Sequence, residues 1–187
     1  MAARKPAEQG VRRERKSVNA VIEGEATVLG DYISADTVLP ARWSFVPPDE
    51  MAEHVLEEAG PQVNPKIKSR AIIVAGEAFG YGTGRESPAR ALRAAGIKAI
   101  VGGPFGRMFF RNAINNGILV VDCPAVLGCG IADGDTIVID LDASRVRWKE
   151  QAFEIAPVAP IIRNIIAAGS LIDYGRAVMA ARDGAPA

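Results

Sequence analysis

Three short apolar runs, R-A-I-I-V-A-G, I-K-A-I-V-G-G and I-L-V-V-D, follow one another between Arg70 and Asp122, with a helix-like stretch in each gap. Each run is too short for a buried helix and is bounded by turn residues, so each reads as a buried strand. The gaps hold a helix over Glu86–Ala95 and a second over P-F-G-R-M-F-F-R-N-A-I-N-N-G, opened by Pro104 and closed by Gly117. Strand, helix, strand, helix, strand in that order implies crossover connections and hence a parallel sheet with helices packed on it. The fold class is α/β, and ligands of such sheets sit at the carboxyl ends of the strands.

The flanks are more β-rich. S-V-N-A-V-I-E-G-E-A-T-V-L-G-D-Y-I-S-A-D-T-V-L-P-A-R-W reads as short strands and loops. P-P-D-E-M-A-E-H-V-L-E-E-A-G is a short helix stopped by Gly60, and P-Q-V-N-P-K-I-K-S is a loop. G-D-T-I-V-I-D-L-D-A-S-R-V-R-W is a hairpin turning at Asp142 to Ser144, and one or two helices close the chain. No repeat or linker divides it. The organisation expected is a charged tail over residues 1–17 and one domain over 18–187, frayed at 182–187.

Composition removes several classes of function. The 187 residues are 49% apolar and 24% charged, the balance of an ordinary globular domain. A formal net charge of zero argues against a nucleic-acid binder that works by neutralising phosphates. No apolar run approaches the ~18 residues of a membrane span. The start, M-A-A-R-K-P-A-E-Q-G-V-R-R-E-R-K-S, has charge but no apolar stretch, so it does not read as a secretory signal. It reads as a solvated tail, or as a basic arm for a partner. Two cysteines, Cys123 and Cys129, suit a reducing compartment, and a cytoplasmic location is expected. Two thiols and one histidine are too few for an iron–sulfur cluster or a structural zinc site, and a histidine that does not read as catalytic leaves no Ser–His–Asp or Cys–His arrangement. The single histidine, His54, lies in a helical pattern and reads as a surface or half-buried residue.

The first strand runs into G-E-A-F-G-Y-G-T-G-R-E-S, a glycine-rich turn ahead of a helix. A dinucleotide fingerprint fails there, because Arg85 takes the third glycine position and the next strand ends in V-G-G without an acid. A phosphate loop of the Lys-Ser/Thr type fails as well. What remains is a loop whose free N–H groups face a small anion, with Thr83 and Arg85 at its lip. A guanidinium fork suits a planar carboxylate. The competing reading is a strained turn capped by Thr83, with Arg85 spent in a salt bridge.

The stretch I-I-V-A-G-E-A-F-G-Y-G-T-G-R-E-S-P-A-R-A-L-R-A-A-G-I-K-A-I-V-G-G-P-F-G-R-M-F-F-R-N-A-I-N-N-G-I-L-V-V resembles the swivel domain of the aconitase superfamily. It is most similar to the free-standing small subunits of the 3-isopropylmalate dehydratase type. G-D-Y-I-S-A-D-T-V-L-P-A-R and I-I-A-A-G-S-L-I-D-Y resemble two further segments of that family, in the right order between Val18 and Tyr174. The resemblance implies a three-layer β/β/α domain with a central, mostly parallel sheet. It implies a large partner subunit, in a heterodimer or heterotetramer, that carries a [4Fe–4S] cluster, while this chain binds no cofactor. It implies a hydro-lyase that removes water from a malate-type dicarboxylic acid and adds it back, active only when the two subunits meet.

Residue by residue, the family loop reads G-x-G-S-S-R-E. Thr83 stands at the position of its general base, Gly84 replaces the second serine, and Arg85 and Glu86 match; Gly82 and Gly84 then offer backbone to the substrate. An alcohol is about as weak an acid as water, so carrying one ionised at neutral pH costs roughly 11 kcal/mol. A helix N-terminus supplies at most ~2 kcal/mol. The remainder has to come from Arg85, neighbouring donors and a closed, dry cleft.

Asp36 matches the family's active-site acid, although S-A-D-T stands where V-D-T-D is usual. The competing reading of Asp36 is an Asx turn. In relatives the following loop reads the substrate's third substituent. Counting nine positions from Asp36 reaches Phe45, and Arg42, Trp43, Ser44, Phe45 and Val46 are therefore candidate substrate contacts. Trp43, Phe45 and Val46 would edge a pocket for an alkyl group, where an unpaired third carboxylate is costly. Isopropylmalate, in leucine biosynthesis, is the first expectation; citramalate or dimethylmalate hydro-lyases and a non-catalytic acid-binding subunit are the alternatives.

Overall fold

The computed structural model describes residues 21–183; the expected tail over 1–17 and residues 184–187 lie outside them. Alternation along one strand shows how the layers form. In β2 (Ile72–Ala75), Ile72 and Val74 enter one apolar core while Ile73 and Ala75 enter another. The neighbouring strands β3 (Ala99–Gly102) and β4 (Leu119–Asp122) divide in the same way, with Val101 and Val121 on the first side and Ile100 and Val120 on the second. A strand buried on both faces needs a layer on each, and the chain provides two different ones.

On the second face lie the helices. α1 (Ala35–Val38), α2 (Pro48–Glu53), α3 (Val63–Ser69), α4 (Ser87–Ala94) and α5 (Arg107–Asn115) contribute Val38, Met51, Ile67, Leu92 and Phe109 to that core. On the first face lie Ile137 and Ile139 of β5 (Thr136–Asp140) and Val146 and Trp148 of β6 (Arg145–Trp148). The antiparallel end of the sheet therefore folds back over its parallel end, giving the β/β/α layering expected.

One continuous sheet of seven strands makes both β layers, in the order β4-β3-β2-β1-β5-β6-β7, with β1 at Val21–Leu29 and β7 at Gln151–Glu154. β1 is shared: Val21–Glu25 pair antiparallel with β5, and Ala26–Leu29 pair parallel with β2. The sheet is mixed, parallel from β1 to β4 and antiparallel from β1 to β7. Two helices, α6 (Pro160–Ala168) and α7 (Leu171–Asp183), follow the sheet.

Several local expectations change. The segment expected as short strands and loops is one nine-residue strand followed by the single turn α1. The helix expected to run to Gly60 breaks after Glu53, because Leu56 takes a left-handed φ of +54° before a short 3-10 turn at Glu57–Ala59. The stretch expected as a loop contains α3; Pro65 sits in its first turn, where a missing N–H costs nothing. α5 starts at Arg107 rather than at Pro104. β7 was not expected.

Candidate functional site

The glycine loop leaves the carboxyl end of β2 and enters α4, and it is held from two sides. Gly80 N–H donates to Ile33 O and Ala35 N–H to Tyr81 O, each at 2.7 Å, which ties it to the segment before α1. Ala78 N–H donates to Pro104 O at 2.7 Å and Gly106 N–H to Phe79 O at 2.9 Å, which ties it to the segment before α5. Phe79 is fully buried and meets Phe109 edge-on, with ring centroids 5.2 Å apart. Gly80 has to be glycine: at φ +78°, a Cβ there would lie 2.2 Å from Cγ of Phe109. The lip of the loop is thus carried by a rigid frame, while Gly82, Thr83, Gly84 and Arg85 themselves remain exposed or half-buried.

Arg85 is the centre of the contacts. Its Nη2 pairs with Oδ1 of Asp36 and reaches the carbonyl of Leu39 at 3.5 Å; its Nη1 donates to Oγ of Ser44. Ser87, at the start of α4 and buried, donates its own hydroxyl to Ser44 Oγ at 3.1 Å. Asp36 is presented by the first turn of α1, whose N-cap is Ser34: Ser34 Oγ accepts from Thr37 N–H at 2.9 Å. Val38 N–H donates to Ser34 O at 2.9 Å, so the Asx-turn reading of Asp36 does not apply.

Thr83 Oγ1 accepts the backbone N–H of Arg85 at 3.3 Å. Such a donor stabilises an oxyanion, but one long hydrogen bond to a charged oxygen is worth about 1.5–3 kcal/mol. That is well below the roughly 11 kcal/mol an ionised hydroxyl needs at neutral pH. Gly84 O and Arg85 O both accept from Asn112 Nδ2 at 3.1 Å, so α5 also steadies the lip. In the free subunit, then, Thr83 caps its turn and Arg85 is ion-paired, as the competing reading of this loop anticipated.

The other candidates divide. Ser44 joins Arg85. Arg42 and Trp43 turn away from it: Arg42 pairs with Glu57 and Glu58, and the Trp43 indole N–H donates to Glu57 Oε1 at 2.8 Å. His54 stacks on Trp43 with centroids 3.5 Å apart and meets Glu57 Oε2 through Nδ1 at 2.7 Å, half-buried as expected. Burial of Glu57 raises its pKa, but hydrogen bonds from Trp43, His54 and Arg42 outweigh that and leave it below its usual value. Val46 packs on the helix-side core, whereas Phe45 is 98% exposed. Trp43, Phe45 and Val46 accordingly do not close a pocket within this chain.

Glu57, Ser87 and Asn112 were not singled out from the sequence. Nor were Tyr32, Tyr81 and Met108, which like Phe45 are large and exposed; Tyr81 lies in the loop, and Tyr32 donates its backbone N–H to Glu77 O at 2.7 Å. Met108 lies directly over Gly84, where a Cβ would approach its Sδ to 2.8 Å. Among the described residues, no three His, Cys, Asp or Glu side chains converge as a metal site. Cys123 is buried and its thiol is pushed up by that burial, and Cys129 bonds to Val126 O at 2.9 Å. No helix among the described residues is long and apolar enough to cross a membrane.

Comparison with known proteins identifies the family. Residues 50–125 match the Aconitase C-terminal domain. The 3-isopropylmalate dehydratase small subunit of Moorella thermoacetica is 36% identical over 82% of this chain and 94% of its own length. The corresponding small subunit of Aliarcobacter butzleri is 37% identical over 84% and 96%. Small subunit 1 of Methanopyrus kandleri is 39% identical over 82% and 91%. A crystal structure of 3-isopropylmalate dehydratase from Methanocaldococcus jannaschii superposes with a TM-score of 0.76 at 32% identity, covering 88% of this chain and 99% of that one. Likeness of this extent, over fold and sequence together, makes the chain a member of the 3-isopropylmalate dehydratase small-subunit family.

Proposed function

We propose that this chain is the small subunit of an iron–sulfur hydro-lyase that interconverts 2-isopropylmalate and 3-isopropylmalate in leucine biosynthesis, in the cytoplasm. The observation that carries the reading is the cluster of Asp36, Arg85 and Ser44 beside Thr83, on a framed glycine loop at the carboxyl end of β2. The names of the relatives favour isopropylmalate over citramalate and dimethylmalate. The [4Fe–4S] cluster of this reading belongs to the large subunit.

The chain's own residues perform two tasks. Arg85 holds a substrate carboxylate with the N–H groups that Asp36 and Ser44 leave over; a guanidinium has five. Thr83 Oγ1 takes the proton from the carbon next to that carboxylate. As the proton leaves, negative charge spreads onto the carboxylate oxygens, and the bonds from Arg85 strengthen as it does so. The hydroxyl leaves the neighbouring carbon as a double bond forms between the two, a departure that the large subunit's cluster would assist. Water then adds in the opposite sense: its hydroxyl goes to the carbon that lost the proton, and Thr83 returns a proton to the carbon that lost the hydroxyl.

Closure by the partner supports the energetics. Tyr32, Phe45, Tyr81 and Met108 are 64%, 98%, 45% and 57% exposed around the loop, an apolar rim that a second subunit can cover. Covering it dries the cleft and strengthens each donor to Thr83. Phe45 reaches the substrate's alkyl group from that rim. Co-expression with cluster-bearing large subunits, anaerobic reconstitution and absorbance of the unsaturated acid test this reading. Turnover of isopropylmalate by the complex and none by either subunit alone is the expected result; preference for citrate or homocitrate contradicts it.

A further inference from the structure

A serine hydroxyl has two acceptor positions and one hydrogen to give. At Ser44 both acceptor positions are taken, one by Arg85 Nη1–H and the other by the Ser87 hydroxyl. Its hydrogen has no partner among the described residues, and the side chain is half-buried beside the Arg85 guanidinium. An oxygen that accepts twice, once from a cation, is a stronger donor through its own hydrogen. The unspent donor thus lies at the same guanidinium that is to receive a carboxylate.

The turn that carries Ser44 is tied down on its far side. Trp43 gives its indole N–H to Glu57 and lies flat on His54, with 6° between the rings. Glu57 in turn follows Leu56, which is fully buried and donates its backbone N–H to Val38 O at 2.9 Å. The chain from α1 to Glu57 and back through Trp43 to Ser44 is a closed loop of contacts. It fixes the Ser44 hydroxyl relative to Asp36, the other partner of Arg85, without touching the substrate.

We propose that Ser44 is a substrate-binding donor, giving its hydroxyl hydrogen to a carboxylate oxygen held by Arg85, and that Trp43 and Glu57 are positioning residues for it. This rests on the reading of the Arg85 site as a dicarboxylate site. A hydrogen bond to a charged acceptor is worth about tenfold or more in affinity.

The test uses the assembled two-subunit complex and two readouts: malonate binding by calorimetry, and kcat and KM for isopropylmalate. Ser44→Ala is expected to weaken malonate and raise KM about tenfold, with kcat within about threefold; Ser44→Thr is expected to recover the loss. Trp43→Phe, which keeps a ring on His54 but loses the N–H, is expected to weaken malonate in the native background and to add nothing to Ser44→Ala. Unchanged malonate binding in Ser44→Ala, or additive effects of the two changes, overturns the proposal. Malonate binding that depends on Ser44 in a complex without isopropylmalate turnover keeps the proposal and removes the proposed function. Normal turnover with Ser44→Ala unaffected does the reverse, and absence of any dicarboxylate binding removes both.

Discussion

Asp36 and Arg85 face each other across the mouth of the glycine loop, 49 residues apart in the chain, with Asp36 Oδ1 paired to Arg85 Nη2. Asp36 is 58% exposed and Arg85 27%, so the pair contributes little to folding: an exposed ion pair is worth about 0–1 kcal/mol. Its effect is on direction. Held by Asp36, Leu39 O and Ser44, the fork has one orientation in which to meet a carboxylate.

Asp36→Ala is therefore expected to shift the denaturation free energy of the subunit by less than about 1 kcal/mol, while lowering kcat/KM of the complex at least about tenfold. Denaturant titration and steady-state kinetics on the same preparation check this. A large stability loss with unchanged kcat/KM would place the pair in the scaffold instead.

Two glycines of one loop are expected to respond oppositely to a side chain. Gly80→Ala drives a Cβ into the Phe109 ring at a left-handed φ, and about 2–4 kcal/mol of stability should be lost. Gly84→Ser restores the family's second serine and meets only the flexible end of Met108. It should cost under about 1 kcal/mol, and it should lower KM for the dicarboxylate as a new hydroxyl reaches the site. Thermal midpoints and KM values separate the two.

Asp133 ties the far ends of β1 and α3 together. Its carboxylate accepts from Val28 N–H at 2.9 Å and pairs with Lys66 and with Arg70 at 3.2 Å. Burial raises its pKa, but the hydrogen bonds from Lys66 and Val28 and the two cationic charges outweigh this and leave it below the usual aspartate value. A carboxyl with a lowered folded-state pKa stabilises above its unfolded-state pKa, and that contribution fades as pH falls through the folded-state value. Asp133→Asn should therefore lower stability at pH 7 and flatten its fall on the acid side. Urea midpoints from neutral pH to below the usual aspartate range check this; parallel acid limbs for the two proteins contradict it.

Much of this arrangement was legible beforehand because it is local. β2, β3 and β4 each declare themselves as apolar runs between turns, and the loop after β2 follows from its glycines. β1 reads as fragments in the sequence because Gly24 looks like a turn. Its real role is packing, since a Cβ there would stand 2.9 Å from that of Ala71. α3 was hidden by Pro61 and Pro65, which punctuate a loop as readily as they open a helix; Ile67, fully buried, and Asn64, bonded to Ala52 O and Val55 O, decide it.

Of the candidate residues, Asp36, Ser44 and Arg85 do meet, whereas side-chain directions in the rest of the site are not legible in the sequence. Spacing put Trp43 beside Phe45 in an alkyl pocket, yet Trp43 is claimed by His54 and Glu57, eleven and fourteen residues away. Such partners depend on how α2 folds back, which no local pattern states. The pairing of Ser44 with Ser87 is hidden for the same reason, as it joins segments 43 residues apart.

The role proposed for Thr83 is to take the proton. The direct measurement is single-turnover dehydration of isopropylmalate by the assembled complex carrying Thr83→Ala or Thr83→Ser, with assembly and malonate binding verified for each. A fall in rate of about a thousandfold or more is expected for the alanine variant, and activity within about tenfold of native for the serine variant. Native dehydration in Thr83→Ala, with the complex intact, would contradict it.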